Sequence, residues 1–386
     1  MQLTTHSKYW RGHLTPGLDA QGWEYLVVIA KAAWTIPMPG QRPRPLLPPE
    51  IEMSDRWDEA PAKALRVAND LARFKPRCDI LFDGMAHSPS GRPERSWVCR
   101  FQVGELRKSA RLHGPRNWQR LLGVVSLGDA EPTLTVPLHY GAALGGTRSQ
   151  VRRGLGGERQ IIEAHADNPD GRGWFGPQTL SLCDGEPAPQ IEAEKPRIKA
   201  PDSKAAPHAL GALPPYAGSR RRHAGTYDEA WQKEVFPFLP QDFDEQYNQA
   251  AAPDQQLAQL RGGEPVVLEG LVAGQAKLSF QLPRLDRLWA HVHRRDGTLQ
   301  PLALVPDTLL FDLDAQRFSI VWRAALKLRR HPSEVSFVGI GPADAQWDSD
   351  SSRCTSCAGQ GSFRTRPDDN AAHDMQPEGA SQEAVA

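Results

Sequence analysis

The sequence predicts a mainly β protein, with antiparallel sheets of a sandwich or barrel-like kind, a few short helices and long loops. Three observations carry that expectation. Two segments alternate apolar and polar residues on either side of a turn, and another is a long run of β-branched and aromatic residues. The chain of 386 residues also contains 34 prolines and 33 glycines, which cut it into short pieces.

Taken in order, the first element is the strand from Trp23 to Ile36. Its interior is almost continuously apolar, so both faces should be covered along part of its length. Prolines at 37, 39, 43, 45, 48 and 49 then impose an extended surface connection. In Glu59–Arg73, Ala62, Leu65, Ala68 and Ala72 suit a helix, and short strands around a turn fit equally well. Trp97–Val103 is a clear strand whose odd positions are apolar. A turn at Gly104-Glu105 leads into its partner, where Leu106, Lys108, Ala110 and Leu112 alternate with Arg107, Ser109 and Arg111. A second hairpin joins Leu309–Leu313 to Phe318–Trp322 through Asp314-Ala315-Gln316, and shorter strands fit Ala276–Leu282 and Leu288–His293.

One helix is signalled by a capping box, Thr226-Tyr227-Asp228-Glu229. Thr226 would cap a backbone N–H, Glu229 would reach back, and the helix over 227–235 would stop before Pro237. Residues 185–222 hold seven prolines and end in Arg220-Arg221-Arg222, which reads as an insert or long surface loop. Residues 343–386 carry eight acidic and three basic residues with few large apolar side chains, the pattern of a disordered acidic tail. The expected organisation is therefore one β-rich domain over 1–342, or two subdomains, 1–184 and 223–342, flanking the Pro-rich insert.

Lys and Arg total 46 and Asp and Glu total 46, so bulk electrostatics argue against nucleic-acid binding. No apolar run approaches the roughly 18 residues of a membrane span. Residues 1–11 lack a signal-peptide core. Five cysteines are too few for a disulfide scaffold, and a cytoplasmic protein with reduced thiols is expected. The neutral total is a cancellation: the acidic tail leaves residues 1–342 net basic by five.

Asp79, Asp83 and His87, with His113 or His139 nearby in sequence order, are the first candidates for acid–base or metal chemistry. Their spacing matches no metal-ligand pattern. Turn capping and a buried salt bridge from Lys75 explain them better. Cys354-Thr355-Ser356-Cys357 is a lone CxxC, with His331 and His373 poorly placed to complete a zinc site. The glycines of 141–146 and 154–157 lack the lysine of a P-loop and the order of a dinucleotide fingerprint, so tight turns are preferred. Serines 88 and 90 sit in no nucleophile elbow. No enzyme emerges, and neither a metal nor a cofactor is expected. Eleven tryptophans are many; Trp57, Trp118, Trp174 and Trp231 lie in loops and would serve as core plugs or as anchors in a protein interface.

A collinear set of short motifs resembles one bacterial family. Lys75-Pro76-Arg77-Cys78-Asp79 is followed by Gly84-Met85-Ala86-His87-Ser88-Pro89, then Val103-Gly104-Glu105-Leu106-Arg107-Lys108 and Gly114-Pro115-Arg116-Asn117-Trp118. Next come Pro137-Leu138-His139-Tyr140-Gly141 running to Gly145-Gly146, and Gly173-Trp174-Phe175-Gly176-Pro177. Ala224–Trp231, Pro237–Phe243, Ala251–Gln256, Arg261–Pro265 and Asp307-Thr308-Leu309 complete the order. Over about residues 1–330 the chain resembles domain-of-unknown-function family 2169. Gly141 departs from that pattern, which usually has an acid after the tyrosine, and Asn168-Pro169-Asp170-Gly171 stands as a remnant of its "NP-x-G" step.

The resemblance implies an adaptor or chaperone of type VI secretion that helps load an effector, with a PAAR tip or a toxin domain, onto the VgrG spike. The partners would be the secreted effector and spike components, with no nucleic acid and no membrane. The partner-binding candidates are Lys75, Asp79, His87, Arg116, Trp118, Tyr140, Tyr227, Asp228 and Trp231, against a competing reading in which these residues fix turns and core. Two alternatives stay open: a hydrolase or modifying enzyme using Asp79, Asp83 and His87, and a carbohydrate- or envelope-binding β module with coplanar exposed aromatics.

Overall fold

A computed structural model describes residues 1–58, 64–154, 157–285, 287–329, 331–348 and 353–354. Its regular structure is mostly strand, 43% against 8% helical, in several sheets that stay open and do not close into a barrel. The largest sheet has seven strands. Its order runs Gln256–Leu257, Cys78–Asp83, Val305–Asp312, Arg317–Lys327, Glu24–Thr35, Arg11–Leu18, and Pro45–Leu46 also pairs with Glu24–Thr35. A five-stranded sheet is ordered Ile191–Glu192, Leu106–His113, Ser96–Val103, Pro265–Glu269, Lys277–Gln281. A four-stranded sheet is ordered Gln2–Thr5, Val335–Gly341, Trp289–Arg294, Leu299–Ala303.

Both hairpins form in the expected places, Ser96–Val103 with Leu106–His113 and Val305–Asp312 with Arg317–Lys327. Parallel pairings, which local alternation could not reveal, join Cys78–Asp83 to Val305–Asp312, Gln2–Thr5 to Val335–Gly341, and Leu144–Gly145 to Arg172–Gly173. Each of the three large sheets draws strands from both sides of residues 185–222, so the candidate subdomains 1–184 and 223–342 share every one of them.

The two larger sheets face each other across the main core. Phe82 of the seven-stranded sheet meets Phe101 of the five-stranded sheet at 4.8 Å between ring centroids, and Phe280 stacks on Phe318 at 6.0 Å. Glu24–Thr35 is covered on both faces as expected: Leu26, Val28, Ala30 and Ala32 enter the main core, while Val27 and Ile29 pack with Ile51 and Val321. The Cys78–Asp83 strand is likewise buried at all six positions. Cys78, Ile80 and Phe82 join the main core, and Leu81 packs on the other face with Leu65, Ala212, Ala250 and Ala251.

Several expectations are corrected. Within 59–73, Leu65–Val67 is a strand paired with Arg56–Trp57, not a helix; residues 59–63 lie outside the described residues. Residues 185–222 are no surface excursion. Ala209, Leu210, Ala212, Leu213 and Ala217 are buried, and the Leu210 carbonyl accepts the Phe82 N–H at 3.1 Å. Prolines limit regular structure there to the short strand Ile191–Glu192 and the helical turn Gly218–Arg221, and extended backbone lined by small residues fits between packed strands. The helix starts later than the capping box suggests. It spans Glu229–Glu234 with Asp228 as its cap, accepting the Trp231 N–H, while Thr226 is taken by Asp242. The tail region is structured at its beginning, where Trp347 packs on Phe337 and in front of Gly339. Cys357 and most of the acidic tail lie outside the described residues.

Candidate functional site

The nine candidate residues fall into a buried set and an exposed set. Lys75, Asp79, Arg116, Trp118 and Tyr140 are buried, and burial leaves them almost no surface to offer a partner. His87 and Trp231 are half-buried, and Tyr227 and Asp228 are exposed.

Asp79 lies on the doubly covered strand, on the face shared with Leu81 and Asp83. Its carboxylate accepts from Lys75 Nζ at 2.9 Å, Gln249 Nε2 at 2.6 Å, and the N–H groups of Ala250 and Ala251 at 2.9 and 3.1 Å. Lys75 also donates to Thr308 Oγ1 at 2.9 Å, on the parallel neighbour. A buried charge needs such full satisfaction to be tolerated. The result ties residues 75–79, 249–251 and the Thr308 strand together. The salt bridge expected from Lys75 is thus present, and Asp79 is its acid.

Asp83 shares that face but has its own partners, Arg66 Nε at 2.5 Å and Arg56 Nη2 at 3.2 Å. Burial pushes its carboxyl above the ordinary value, with both arginines acting against the rise. His87 joins neither network; its backbone N–H bonds the Leu271 carbonyl. The two carboxylates therefore spend their oxygens on separate structural partners. Among the described residues, no group of three His, Cys, Asp or Glu side chains is placed to hold a metal ion.

A second polar knot holds Arg116. Its Nε donates to the Pro189 carbonyl at 3.0 Å and its Nη2 reaches Glu192 Oε1 at 3.5 Å. Glu192 also bonds His113 Nε2 at 2.7 Å and accepts the Ile198 N–H at 2.6 Å. Burial pushes the Glu192 carboxyl up, but these bonds and the Arg116 charge outweigh it and bring the pKa down. Burial lowers the pKa of His113 despite the bond to Glu192. Trp118 is a core plug: its indole N–H donates to the Gly173 carbonyl at 2.8 Å, and it packs with Leu144, Phe175 and Ile198.

Tyr140 sits where Asn168 staples the glycine turn. Asn168 Nδ2 donates to the Tyr140 and Leu144 carbonyls at 2.9 and 3.0 Å, and its own carbonyl accepts the Gly146 and Gly171 N–H groups. A Cβ on Gly145, whose φ is +156°, would lie 2.1 Å from the Asn168 oxygen. The Asn168–Gly171 step is thus an intact backbone clamp. Gly141 leaves room for Ala64, whose Cβ would stand 2.7 Å from an added side chain. In place of an adjacent acid, His139 Nε2 faces Asp58 at 3.1 Å.

The exposed set belongs to an arm over residues 225–243 that closes on itself. Thr226 donates from its N–H and hydroxyl to Asp242 at 2.9 and 2.7 Å, and Trp231 Nε1 donates to the Phe238 carbonyl at 3.0 Å. Trp231 sits edge-on to Tyr227 and Phe236, with centroids 4.7 and 5.6 Å away. No residue of the arm's helix is buried. Tyr227 is 53% exposed, Phe236 64% and Phe238 43%, and Phe238 lies against Gly22, beside Trp23 at 51%. Exposed apolar clusters of this kind are candidates for contact with other molecules. Phe236, Phe238 and Trp23 were not singled out by sequence reasoning; the prolines on either side of Phe238, which forbid burial in regular structure, were the available signal. Elsewhere, Trp57 and Tyr216 stack on each other at 5.9 Å with planes 8° apart, so their faces are turned inward and do not lie side by side as a sugar platform would.

These features define an open multi-sheet β protein whose buried motif residues hold the backbone together and whose aromatic arm lies exposed at the surface. The chain belongs to the family described as "Uncharacterized protein conserved in bacteria (DUF2169)", whose model matches residues 21–323. No curated protein and no solved structure matches the chain. No helix among the described residues is long and apolar enough to cross a membrane.

Proposed function

We propose that this protein is an adaptor or chaperone of type VI secretion, acting in the cytoplasm to help load an effector with a PAAR tip or toxin domain onto the VgrG spike. The observation that carries this reading is the arm. Its rings are held in place by mutual edge-on packing and by the Trp231–Phe238 hydrogen bond, yet remain open to solvent. Pre-set aromatic anchors contribute strongly to protein interfaces because little side-chain freedom is lost on docking. The enzyme reading is weakened by the engagement of Asp79 and Asp83 in separate ion pairs.

The test is a deletion strain assayed for secretion of the effector encoded beside the gene, with spike assembly followed in parallel. Loss of effector secretion with spike assembly intact is expected, together with co-purification of effector and adaptor. Unchanged secretion in the deletion strain would overturn the proposal.

A further inference from the structure

Between the arm and the Asp19–Trp23 turn lies a cleft of about 570 Å³, lined by Ala20, Gln21, Gly22, Glu234, Val235, Phe238 and Gln241. Both walls are pre-set. On the turn side, Asp19 accepts the N–H groups of Gln21 and Trp23 at 3.0 and 2.9 Å and the Tyr25 hydroxyl at 3.0 Å. On the arm side, the Asp228 cap and the Thr226–Asp242 pair fix the helix that carries Glu234. Glu234 is exposed and makes no ion pair or side-chain hydrogen bond among the described residues, and the Gln21 and Gln241 amides are likewise uncommitted.

The charge of this region leans acidic, with Arg73 paired to Glu245, His223 to Asp244 and Lys327 set against Trp23 as the cations around it. Residues 226–245 hold six acids and one lysine, Lys233, which is already paired with Glu229. Glu24, next to Trp23, is exposed as well. Just outside the cleft, Lys327 Nζ stands 3.5 Å from the centroid of the Trp23 ring, so an aromatic face here already accepts a cation. A carboxylate, two amide oxygens and a phenyl wall form the environment that a guanidinium prefers: bidentate pairing with the acid and stacking on the ring.

We propose that this cleft seats the arginine of a basic, aliphatic-rich segment of a protein partner. Glu234 is the ion-pair acceptor, Phe238 the stacking wall, and Phe236 and Trp23 the apolar flanks. The proposal rests on the adaptor reading for the partner's identity, and on charge complementarity for its chemistry. Glu234 is the one charged residue lining the cleft and is without a partner among the described residues, so it disfavours phosphate groups and favours a cationic protein segment as the occupant.

The test uses the purified full chain and three synthetic peptides of one length, with leucine alternating with arginine, lysine or glutamate. Binding is read by tryptophan fluorescence and calorimetry. The arginine peptide should bind most tightly, weaken with added salt, and lose a few-fold in affinity on Glu234→Gln, the range of an exposed ion pair. Glu234 is at the surface, so this variant should fold as the parent does. Equal binding of the arginine peptide by the parent and Glu234→Gln proteins, or binding of the glutamate peptide, overturns the proposal. Concentration-dependent self-association abolished by Phe236→Ser would also overturn it, because a second copy would then cover the patch. In cells, Glu234→Lys at normal protein level should reduce effector secretion toward that of the deletion strain. If secretion needs the gene but tolerates Glu234→Lys, the cleft proposal fails and the adaptor reading stands; if secretion ignores the deletion while the arginine peptide still binds through Glu234, the reverse holds.

Discussion

Around Asp79, one lysine, one glutamine amide and two backbone N–H groups close on a carboxylate with no exposure to solvent. In the 225–243 arm, carboxylates again accept from N–H and hydroxyl groups, but at the surface, and what they hold outward is a set of rings. The same residue types serve both places. In the first they join three segments far apart in sequence; in the second they brace one short segment against itself. The difference teaches that these two polar motifs divide by burial and not by chemistry, and that the self-braced one is left at the surface.

That contrast can be broken by substitution, and the largest effect belongs to the buried network. Asp79→Ala leaves Lys75 charged and unpaired and strands two N–H groups, a loss of about 3–5 kcal/mol. Urea unfolding monitored by fluorescence should show it as a large fall in midpoint or as insoluble protein. A parent-like midpoint would mean that Asp79 is not the keystone described.

A pH series probes the buried polar groups next. Burial is the chief cause that lowers the His139 pKa to about 4, with Asp58 acting against it. The unfolded imidazole protonates near pH 6.5. As pH falls through that value, the unfolded chain takes up a proton that the folded chain refuses. Stability should therefore decline by up to about 1.4 kcal/mol per unit between roughly pH 6.5 and 4. His113, lowered mainly by burial, acts in the same direction. Urea midpoints at pH 7 and pH 5 measure the decline, and His139→Gln should shrink the gap between them.

The arm should respond differently. Asp228→Ala removes the cap on the Trp231 N–H at 2.8 Å and should cost about 1 kcal/mol. That loss should appear as faster hydrogen exchange over Glu229–Glu234 with the global midpoint held. Phe236→Ser should change stability by less than about 0.5 kcal/mol, as surface replacements do, while lowering effector co-purification. A substantial fall in unfolding midpoint would show that Phe236 is a core residue after all.

Much of this architecture was legible. Trp97–Val103 and Leu106–Leu112 alternate because one face of the pair lies on the core, and the Lys75 salt bridge could be expected from a lysine near acids in an apolar run. The rest was hidden for specific reasons. Leu210 bonds Phe82 across 128 positions, and neither period nor propensity announces such a contact inside a proline-rich stretch. Thr226 and Asp228 both look like helix caps, and the choice fell to Asp242, whose carboxylate claims Thr226 from sixteen residues away. Arg116, Trp118 and Tyr140 read as binding residues because arginine and aromatics are frequent anchors; their burial follows from pairings of 113–118 with 187–192 and of 140–146 with 168–172 that no local pattern marks.

The order of the seven-stranded sheet carries a consequence for biosynthesis. Val305–Asp312 and Arg317–Lys327 stand in the middle, between Cys78–Asp83 and Glu24–Thr35, although they leave the ribosome long after both. Glu24–Thr35 can pair at once with Arg11–Leu18, but until 305–327 is translated nothing bridges it to Cys78–Asp83, and the edges that face the missing pair stay open. Non-local pairing of this kind is slow and prone to aggregation. A truncation anywhere before residue 327 should leave an insoluble fragment and not a smaller folded unit. The central sheet thus closes only once the strands at 305–327 have been made, more than 200 positions after the two strands they join.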